Sequence, residues 1–241
     1  MVKRRSARRK LIIAIDGPAG SGKSSTAKAL AKRLKVPFID TGAMYRAVTL
    51  KAMWKELPLT DTRKLIALSK TCRIRFTGND PERQRVILDG KDVTREIRLP
   101  ELTKNVVYVA REPLIRRVMV KLQRKLGKKL GGVMEGRDIG TMVFPEADFK
   151  LYFEASDAIR ARRRYRELIE AGHKITMGQV LKDIKRRDKS DYERKEGPLR
   201  RAKDAFIMDT TSLTIEDTVD KILQIIQSNP LKHGKLNKSA S

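Results

Sequence analysis

The chain has 241 residues, of which 40% are hydrophobic and 35% charged, a size that suits one domain with insertions or two small domains. This composition excludes collagen-like, disulfide-rich and wholly disordered classes, and no apolar run approaches the roughly 18 residues of a membrane span. Lysine and arginine total 55 against 29 aspartate and glutamate, so the net charge is +26 and predicts anionic partners such as nucleotides, nucleic acid or a membrane surface.

Part of the positive charge lies at the two ends of the chain. Residues 3–10 (KRRSARRK) carry six cations, and the C-terminal segment 229–241 carries three lysines. We expect residues 1–10 and 229–241 to form disordered basic tails, and nucleic-acid contact stays open as an additional role for them. Without these nine cations the net charge is still +17, so the body of the chain must also attract anions.

Cysteine content and the first apolar run indicate the compartment. Cys72 is the one cysteine, so no internal disulfide can form and nothing points to an oxidising environment. The apolar run at 11–15, which follows the N-terminal basic residues, is too short for the core of a signal peptide. We therefore expect a cytoplasmic protein with no membrane partner.

Strand and helix patterns alternate over the first 56 residues. Residues 11–15 (LIIAI) form a short β-branched run typical of a buried parallel strand, and a helix with an apolar face at 27–34 follows a glycine-rich turn. A second strand is predicted at 36–39 and a second helix at 43–56. The order strand, helix, strand, helix is typical of a doubly wound α/β sheet.

The middle of the chain carries a different pattern. RIRF at 73–76 and RVIL at 85–88 are β-like runs on either side of a Gly-Asn-Asp-Pro turn, which predicts a small antiparallel insertion. Apolar residues within 114–126 recur at helical spacing and predict a long amphipathic helix. Tyr45 and Trp54, on the helix before the insertion, are expected to pack in the core.

Parallel-strand patterns return in the last part of the chain. Short apolar strands are predicted at 131–134, 149–153 and 205–208. Ser156 can cap the helix after the second of them, and Thr214 with Asp217 resembles a capping box for a final amphipathic helix. The densely charged segment 179–200 is expected to be mostly helix or mobile loop. The whole chain is therefore predicted to form one α/β core with two insertions.

A phosphate-binding loop follows the first strand. Residues 17–24 match G-x-x-x-x-G-K-[ST] at every fixed position, between a predicted strand and a predicted helix. Glycines let backbone N–H groups approach phosphate oxygens, and the helix presents its positive N-terminus to the same anion. Lys23 would reach the β- and γ-phosphates, while the Ser24 hydroxyl would ligate Mg²⁺. The residues expected to bind ATP here are Gly17, Pro18, Ala19, Gly20, Ser21, Gly22, Lys23, Ser24 and Ser25.

Isolated arginines indicate a second, phosphorylated ligand. The sequence lacks the N-K-x-D loop and D-x-x-G switch of guanine-binding GTPases. Instead, arginines lie at loop positions after predicted strands, where α/β sheets bind ligands: Arg46, Arg137, Arg187 and Arg194. Guanidinium groups suit phosphate oxygens and neutralise the charge of phosphoryl transfer, so a small phosphorylated acceptor opposite ATP would account for all four.

Six sequence blocks carry a family resemblance. They are IDGPAGSGKSS (15–25), DTGAMYRAVTL (40–50), VILDGKDVTREIR (86–98), EGRDIGTMVFP (135–145), RRDKSDYERKEGPLRRAKDA (186–205) and DTTSLTIED (209–217). The second, fourth and fifth are far more specific than the phosphate loop. Through them the chain resembles the bacterial-type cytidylate kinases, nucleoside monophosphate kinases of the P-loop class, from about residue 11 to 227. The resemblance implies ATP-dependent phosphorylation of CMP and dCMP to CDP and dCDP.

The same resemblance implies the architecture of a single kinase domain at 11–228, most simply a monomer. A three-layer α/β/α core around a parallel sheet would carry a monophosphate-binding insertion and a mobile lid. We expect the core in 11–41, 131–157 and 203–228, the insertion at about 42–130 and the lid at about 158–202.

The resemblance also implies roles for residues that would hold the acceptor. Arg46 resembles the arginine that grips the acceptor phosphate, with Arg137 beside it, and Thr41 takes the place of a small hydroxyl residue near the acceptor. Arg116 and Asp138 resemble the pair that reads the cytosine edge. A carboxylate there would accept from the cytosine amino group and repel the carbonyl of uracil.

Roles in the lid follow from the R-D-x-x-D-x-x-R pattern at 187–194. The resemblance implies that Arg187 and Arg194 close over the phosphates and that Asp191 reaches the sugar. Arg163 resembles a lid arginine on the ATP side. The cations expected to act in catalysis are Lys23, Arg137, Arg187 and Arg194.

Two positions depart from the family pattern. Val107 stands where members often carry a serine that helps to read the base, which leaves open a broader kinase that also accepts UMP. Glu135 stands where Asp is common, one methylene farther out, and could change how Mg²⁺ is positioned. The excess of basic charge keeps a P-loop ATPase that binds RNA or ribosomal particles as a more distant alternative.

Overall fold

The computed structural model describes residues 10–78 and 80–229, so the predictions for residues 1–9 and 230–241 lie outside the described part of the chain. The strands are β1 (Ile12–Asp16), β2 (Phe38–Asp40), β3 (Ile74–Thr77), β4 (Arg85–Leu88), β5 (Lys91–Asp92), β6 (Gly132–Gly136), β7 (Phe149–Glu154) and β8 (Phe206–Asp209). The α-helices are α1 (Lys23–Leu34), α2 (Thr41–Trp54), α3 (Thr62–Thr71), α4 (Pro100–Ala110), α5 (Pro113–Leu130), α6 (Asp157–Glu170), α7 (Met177–Glu193) and α8 (Ile215–Ser228). None of them combines the length and apolarity that crossing a membrane requires.

A five-stranded parallel sheet forms the centre of the fold, in the order β2-β6-β1-β7-β8. β1 lies between β6 and β7, and all five of its residues are buried. A strand covered on both faces must be apolar throughout, which is why the run at 11–15 has no polar alternation. The prediction of a buried parallel strand before the glycine-rich loop is confirmed.

Helices cover both faces of this sheet. On one face, Ile13 and Ile15 of β1 pack with Leu30 of α1 and Ile222 of α8. On the other, Ile12 and Ala14 pack against Val120 of α5 and the single-turn π-helix at 139–143. The protein therefore has the three-layer α/β/α architecture predicted from the sequence.

Local capping accounts for the helix boundaries. The Asp40 carboxylate accepts a hydrogen bond from the backbone N–H of Ala43 at 2.9 Å, so α2 begins at Thr41, two residues before the predicted start. The capping box of Thr214 and Asp217 is present at the start of α8, as predicted. Ser156 caps α6, also as predicted.

Residues between β2 and β6 build a second, separate core. The three-stranded antiparallel sheet β3-β4-β5 and helices α2 to α5 surround buried residues such as Leu88, Ile97 and Ile115. Tyr45 belongs to this core, as expected. The prediction for Trp54 is wrong: its ring is 42% exposed at the end of α2, where the Lys91 ammonium lies 4.4 Å above it. The last turn of α2 has passed the edge of the core, so the ring is covered by a cation instead.

The charged segment near 179–200 forms a helix over most of its length. α7 packs against α6 through a small apolar cluster that includes Ala161, Leu168, Val180 and Ile184. The guanidinium of Arg160 on α6 reaches the Asp188 carboxylate on α7 at 2.6 Å. These contacts hold the two helices together beside the main core.

Candidate active site

The candidate site lies where three strands of the parallel sheet end. β1 ends at Asp16 and β2 at Asp40, and Glu135 near the end of β6 is paired in register with Ile15 and Asp40. The carboxyl ends of parallel strands meet at one edge of the sheet, and α/β folds bind their ligands there.

The glycine-rich loop between β1 and α1 has the backbone that its glycines predict. Gly20 has φ 75°, and a Cβ added to it would come within 2.8 Å of the Arg160 backbone oxygen. Gly22, with φ 80°, precedes the first residue of α1. No carboxylate lies in the first turn of α1, and no side chain caps it, so its N-terminal N–H groups are available to an anion.

Lys23 is buried at the start of α1, with 6% of its surface exposed. Its ammonium donates to the backbone oxygen of Pro18 at 2.9 Å. Burial, and then the nearby charge of Arg137, lower the pKa of Lys23 to about 7. An anion placed beside this lysine would therefore strongly stabilise its charged form.

Ser24 joins α1 to β6. Its hydroxyl donates to Oε2 of Glu135 at 2.6 Å, and the Thr41 hydroxyl donates to the Glu135 backbone oxygen at 2.7 Å. Burial, followed by the charge of Asp40, raises the pKa of the Glu135 carboxyl. The hydroxyl and carboxylate oxygens at this point are hard donors, the kind that Mg²⁺ prefers when it also binds nucleotide phosphates.

Arg46 faces the site from α2. Its guanidinium lies 3.7 Å from the Asp40 carboxylate, which also receives Arg98 at 3.2 Å. Burial lowers the pKa of Arg46, and the neighbouring Arg98 lowers it further against the effect of Asp40. One carboxylate therefore neutralises two arginines only in part.

Four cations converge between the glycine-rich loop, α2, β6 and α7. Arg137, directly after β6, donates to Oδ2 of Asp191 at 2.7 Å. Arg187 has no ion pair within the described part of the chain, and burial followed by the positive charges of Arg137 and Arg46 lowers its pKa to about 9. Three of the four cations thus have a lowered pKa, and all three face the same region: Lys23, Arg46 and Arg187. Such a cluster holds more positive charge than its own carboxylates neutralise.

A second cluster is built around Asp138. Arg116 of α5, only 1% exposed, donates to Oδ2 at 2.5 Å, and Arg194 lies 3.4 Å from Oδ1. Gly197 packs against this carboxylate so closely that any side chain there would collide with it. The two residues predicted to read a base therefore contact each other, and the segment after α7 completes their surroundings.

Arg163 of α6 lies beside Gly22 of the glycine-rich loop. It donates to the Thr210 hydroxyl at 3.2 Å and to the Thr210 backbone oxygen at 2.6 Å. The same Thr210 hydroxyl donates to the Ser21 backbone oxygen at 2.9 Å. Arg163 therefore borders the loop, while the predicted residues of the loop, α2, β6 and α7 lie close together at the carboxyl edge of the sheet.

Comparison with known proteins gives the family. The family model described as cytidylate kinase matches residues 13–228. The chain belongs to the cytidylate kinase family. The resemblance drawn from the six sequence blocks is thereby confirmed.

Curated relatives in the cytidylate kinase family are similar over most of this chain. The "Cytidylate kinase" of Caldanaerobacter subterraneus subsp. tengcongensis is 45% identical over 217 residues, covering 90% of this chain and 95% of that protein. The one from Desulforamulus reducens is 46% identical over 215 residues, covering 89% and 96%. A solved structure of an uncharacterized protein from Eubacterium ventriosum has a TM-score of 0.50 at 14% identity, covering 91% of this chain and 99% of that one, and shares its fold.

Three residues of this cytidylate kinase family site were missed from the sequence. Asp16 accepts from the backbone N–H groups of Ile139 and Gly140 at 2.8 and 2.7 Å, and burial raises its pKa to about 7. Arg160 donates to the Ala19 backbone oxygen at 3.0 Å, and Thr210 ties the loop to β7 and β8. An acidic residue at the end of an apolar strand was the available signal for Asp16. Arg160 could not be separated from Arg162, Arg163 and Arg164 by sequence alone.

Proposed function

We propose that this chain transfers the γ-phosphoryl group of ATP to the 5′-phosphate of CMP or dCMP, giving ADP and CDP or dCDP. The convergence of Lys23, Arg46, Arg137 and Arg187 carries this proposal, because its surplus of positive charge suits the phosphates of two nucleotides. Direct in-line transfer needs no covalent intermediate and no histidine base.

On the ATP side, the loop at 17–24 and the N-terminus of α1 would hold the phosphates. Lys23 would lie beside the β- and γ-phosphates, where it neutralises the charge that develops during transfer. Mg²⁺ fits next to Ser24 and Glu135, whose oxygens are 2.6 Å apart, and when bound it would shield the charge of the phosphates. Arg163 would border the nucleotide from α6.

On the acceptor side, Arg46 and Arg137 would grip the phosphate of CMP, with Thr41 at its edge. Arg116 and Asp138 would read the cytosine, and Asp191 would reach the sugar. Arg187 and Arg194 belong to the predicted lid at 158–202, which the Arg137 to Asp191 hydrogen bond joins to the sheet core in this structure. Closure of such a lid excludes water that would otherwise hydrolyse ATP. We place the reaction in the cytoplasm and expect a monomer.

The test of this function is ADP production from Mg·ATP with CMP, dCMP, UMP and AMP offered separately. Strong stimulation by CMP and dCMP alone is the expected result. Equal stimulation by UMP would mean a broader pyrimidine kinase, the alternative that Val107 leaves open. No stimulation by any of the four would refute phosphoryl transfer to a nucleoside monophosphate.

Replacing Arg46 by methionine should weaken CMP binding and leave ATP binding nearly unchanged. A lost hydrogen bond to a charged group costs about 1.5–3 kcal/mol, so KM for CMP should rise roughly 10- to 150-fold. Asp40 keeps Arg98 and the Ala43 N–H as partners, so α2 should stay folded. The matched control is Arg98→Met, because Arg98 contacts the same Asp40 carboxylate but from an exposed position. Equal losses of CMP and ATP affinity in Arg46→Met would contradict the assignment.

Replacing Glu135 by glutamine should raise the Mg²⁺ concentration needed for half-maximal activity about tenfold, as for other residues that support a metal site. The amide keeps the size of the side chain and a partner for Ser24 but removes the charge that Mg²⁺ would face. Glu135→Asp, which retains the charge, should have a smaller effect. A Mg²⁺ titration of ADP production measures this, and an unchanged midpoint in Glu135→Gln would place the metal elsewhere.

ATP binding should be accompanied by proton uptake above neutral pH. The pKa of Lys23 is about 7 in the free protein, so its amine is mostly neutral at pH about 8, and the phosphates of ATP would raise that pKa. Calorimetry at pH about 8 in buffers of different ionisation enthalpy should show an uptake approaching one proton. At pH about 6 the amine is already charged, and the uptake from Lys23 should vanish. Equal uptake by Lys23→Met at pH about 8 would assign the proton to another group.

A further inference from the structure

Arg160 joins the glycine-rich loop to helices α6 and α7. Its Nη1 donates to the backbone oxygen of Ala19 in the loop at 3.0 Å. Its Nη2 contacts two carboxylates, each at 2.6 Å: Asp157 in the first turn of α6 and Asp188 on α7. The side chain is only 5% exposed, and both of its terminal nitrogens are held by protein groups. A bound substrate would therefore feel Arg160 through the groups that it holds.

The glycine-rich loop packs directly against the first turn of α6. A Cβ added to Gly20 would lie 2.8 Å from the backbone oxygen of Arg160 and 3.1 Å from its Cβ. The Ala19 oxygen that Arg160 holds and the N–H of Gly20 belong to one planar peptide unit. A phosphate that fixes this peptide unit therefore also fixes the oxygen that the guanidinium contacts, and through it the position of α6.

On α7, the partner of Arg160 lies beside residues that would hold the acceptor. Asp188 and Asp191 are three residues apart, so they lie on the same side of the helix. Asp191 accepts from Nε of Arg137 at 2.7 Å, and Arg187 directly precedes Asp188. A movement of α7 that changes the contact between Arg160 and Asp188 must therefore also move Arg187 and Asp191 relative to β6.

The buried pair of Arg160 and Asp188 is joined by a single contact. Arginine and carboxylate groups can form two parallel bonds, which makes the pair both stronger and more exact in geometry. Here Nε of Arg160 and Oδ1 of Asp188 are both buried and lack a hydrogen-bond partner among the described residues. A small shift of α7 along α6 that brings these two atoms together would satisfy both of them. The pair can therefore hold α7 more firmly than it does in this structure.

We propose that Arg160 is a positioning residue that couples the ATP loop to α7, so that ATP and CMP each tighten the binding of the other. The phosphates of ATP would fix the Ala19 peptide and with it Arg160, which in turn holds Asp188 and sets Arg187 and Asp191 for the acceptor. The inference rests on the proposed kinase function and goes beyond it, because phosphoryl transfer requires both substrates to be bound but not to favour each other. Coupling of this kind is reciprocal.

Calorimetry of the full-length protein measures this coupling as the ratio of two Kd values for CMP, without and with saturating Mg·AMP-PNP, a non-hydrolysable ATP analogue. In wild type the analogue should tighten CMP binding about fivefold or more. The double variant Arg160→Met with Asp188→Leu replaces the ion pair by apolar side chains that can pack between the helices, so its Tm should stay within about 5 °C of wild type. Its ratio should fall below about 2, while the Kd for CMP alone should change less than about threefold, because Asp191 keeps its bond to Arg137.

The matched control makes the same two substitutions at an exposed pair on α7, Arg186→Met with Asp183→Leu. These side chains are 68% and 43% exposed and lie 3.0 Å apart, so the control removes the same charges without touching the loop. It should keep the wild-type ratio. Asp188→Asn is a second variant, which retains the size of the side chain and weakens its contact with Arg160, and its ratio should also fall. Steady-state kinetics give an independent readout: the KM for CMP should decrease as ATP is raised in wild type and the control, but not in the double variant.

Three results would overturn the coupling role of Arg160. Equal Kd values for CMP with and without the analogue in wild type would show that the substrates bind independently. A wild-type ratio in both Asp188→Asn and the double variant would exclude the contact between α6 and α7 as the connection. Equal losses in the control and the double variant would assign the effect to charge on α7 in general. Production of ADP with CMP by wild type separates these results from failure of the kinase function, since absence of that activity would refute both proposals.

Discussion

Replacing Lys23 by alanine is expected to lower kcat about 100-fold, which corresponds to roughly 3 kcal/mol of lost transition-state stabilisation. The ammonium lies buried next to the loop and would contact the phosphates in transfer, when their charge is redistributed. The stability of the folded protein should not fall with it. In the free protein, burial and Arg137 disfavour the charged form of Lys23, so its removal relieves repulsion among the cations of the site.

Steady-state kinetics and thermal unfolding together test this expectation. Lys28→Ala is the matched control, because Lys28 lies five residues farther along α1 and, within the described part of the chain, pairs with Glu82 alone at 3.4 Å. It should retain wild-type turnover. A Lys23→Ala protein that keeps more than half of the wild-type kcat would contradict the catalytic role, and one that unfolds early would show that Lys23 has a structural role instead.

Asp138→Asn is expected to lower both stability and the preference for cytosine. The substitution removes the carboxylate charge from Arg116 and Arg194, whose side chains are 1% and 4% exposed. Removing one partner of a buried ion pair costs about 3–5 kcal/mol. At roughly 2–4 °C per kcal/mol for a domain of this size, Tm should fall by about 10 °C. The ratio of CMP to UMP turnover should fall as well, since the amide no longer distinguishes the cytosine amino group from the uracil carbonyl.

A double variant separates the structural part of this effect from base reading. Arg116→Met combined with Asp138→Asn removes one of the two buried charges that Asp138 neutralised, while Arg194 keeps Asp191 at 3.5 Å, so part of the lost Tm should be recovered. It should not restore the CMP to UMP ratio. Arg117→Ala is the control on the same helix, because its pair with Glu196 at 3.5 Å is exposed and should contribute less than about 1 kcal/mol. An unchanged Tm and ratio in Asp138→Asn would exclude both roles.

Local patterns predicted those parts of the fold that local chemistry determines. The glycine spacing at 17–24, the apolar strand before it and the capping box of Thr214 and Asp217 each depend on residues close in sequence, and the structure has them where expected. The position of Trp54 could not be predicted in this way. Its burial depends on how far α2 extends past the insertion core, which is a property of tertiary packing rather than of the sequence around it.

The candidate site could likewise be predicted from the sequence only where its residues belong to local motifs. The family motifs predicted that Arg46, Arg137 and Asp191 belong to the site, because each lies within a block of characteristic sequence. Which carboxylate neutralises which arginine was not predictable, since Asp138 contacts residues 22 and 56 positions away. Likewise, Asp16 holds the turn after Asp138 through two backbone N–H groups 123 and 124 residues distant. Contacts over such separations leave no local pattern.

The position of β1 in the sheet has a consequence for synthesis on the ribosome. β1 is translated before every other strand of the sheet, yet the two strands that flank it, β6 and β7, follow about 120 and about 140 residues later. At translation rates of roughly 5–20 residues per second, the nascent loop waits on the order of 10 s for its neighbours. By the end of that interval, just before β6 begins at Gly132, all residues of the core at 42–130 have been translated. The nucleotide loop should therefore become resistant to proteolysis only after the chain has passed β7.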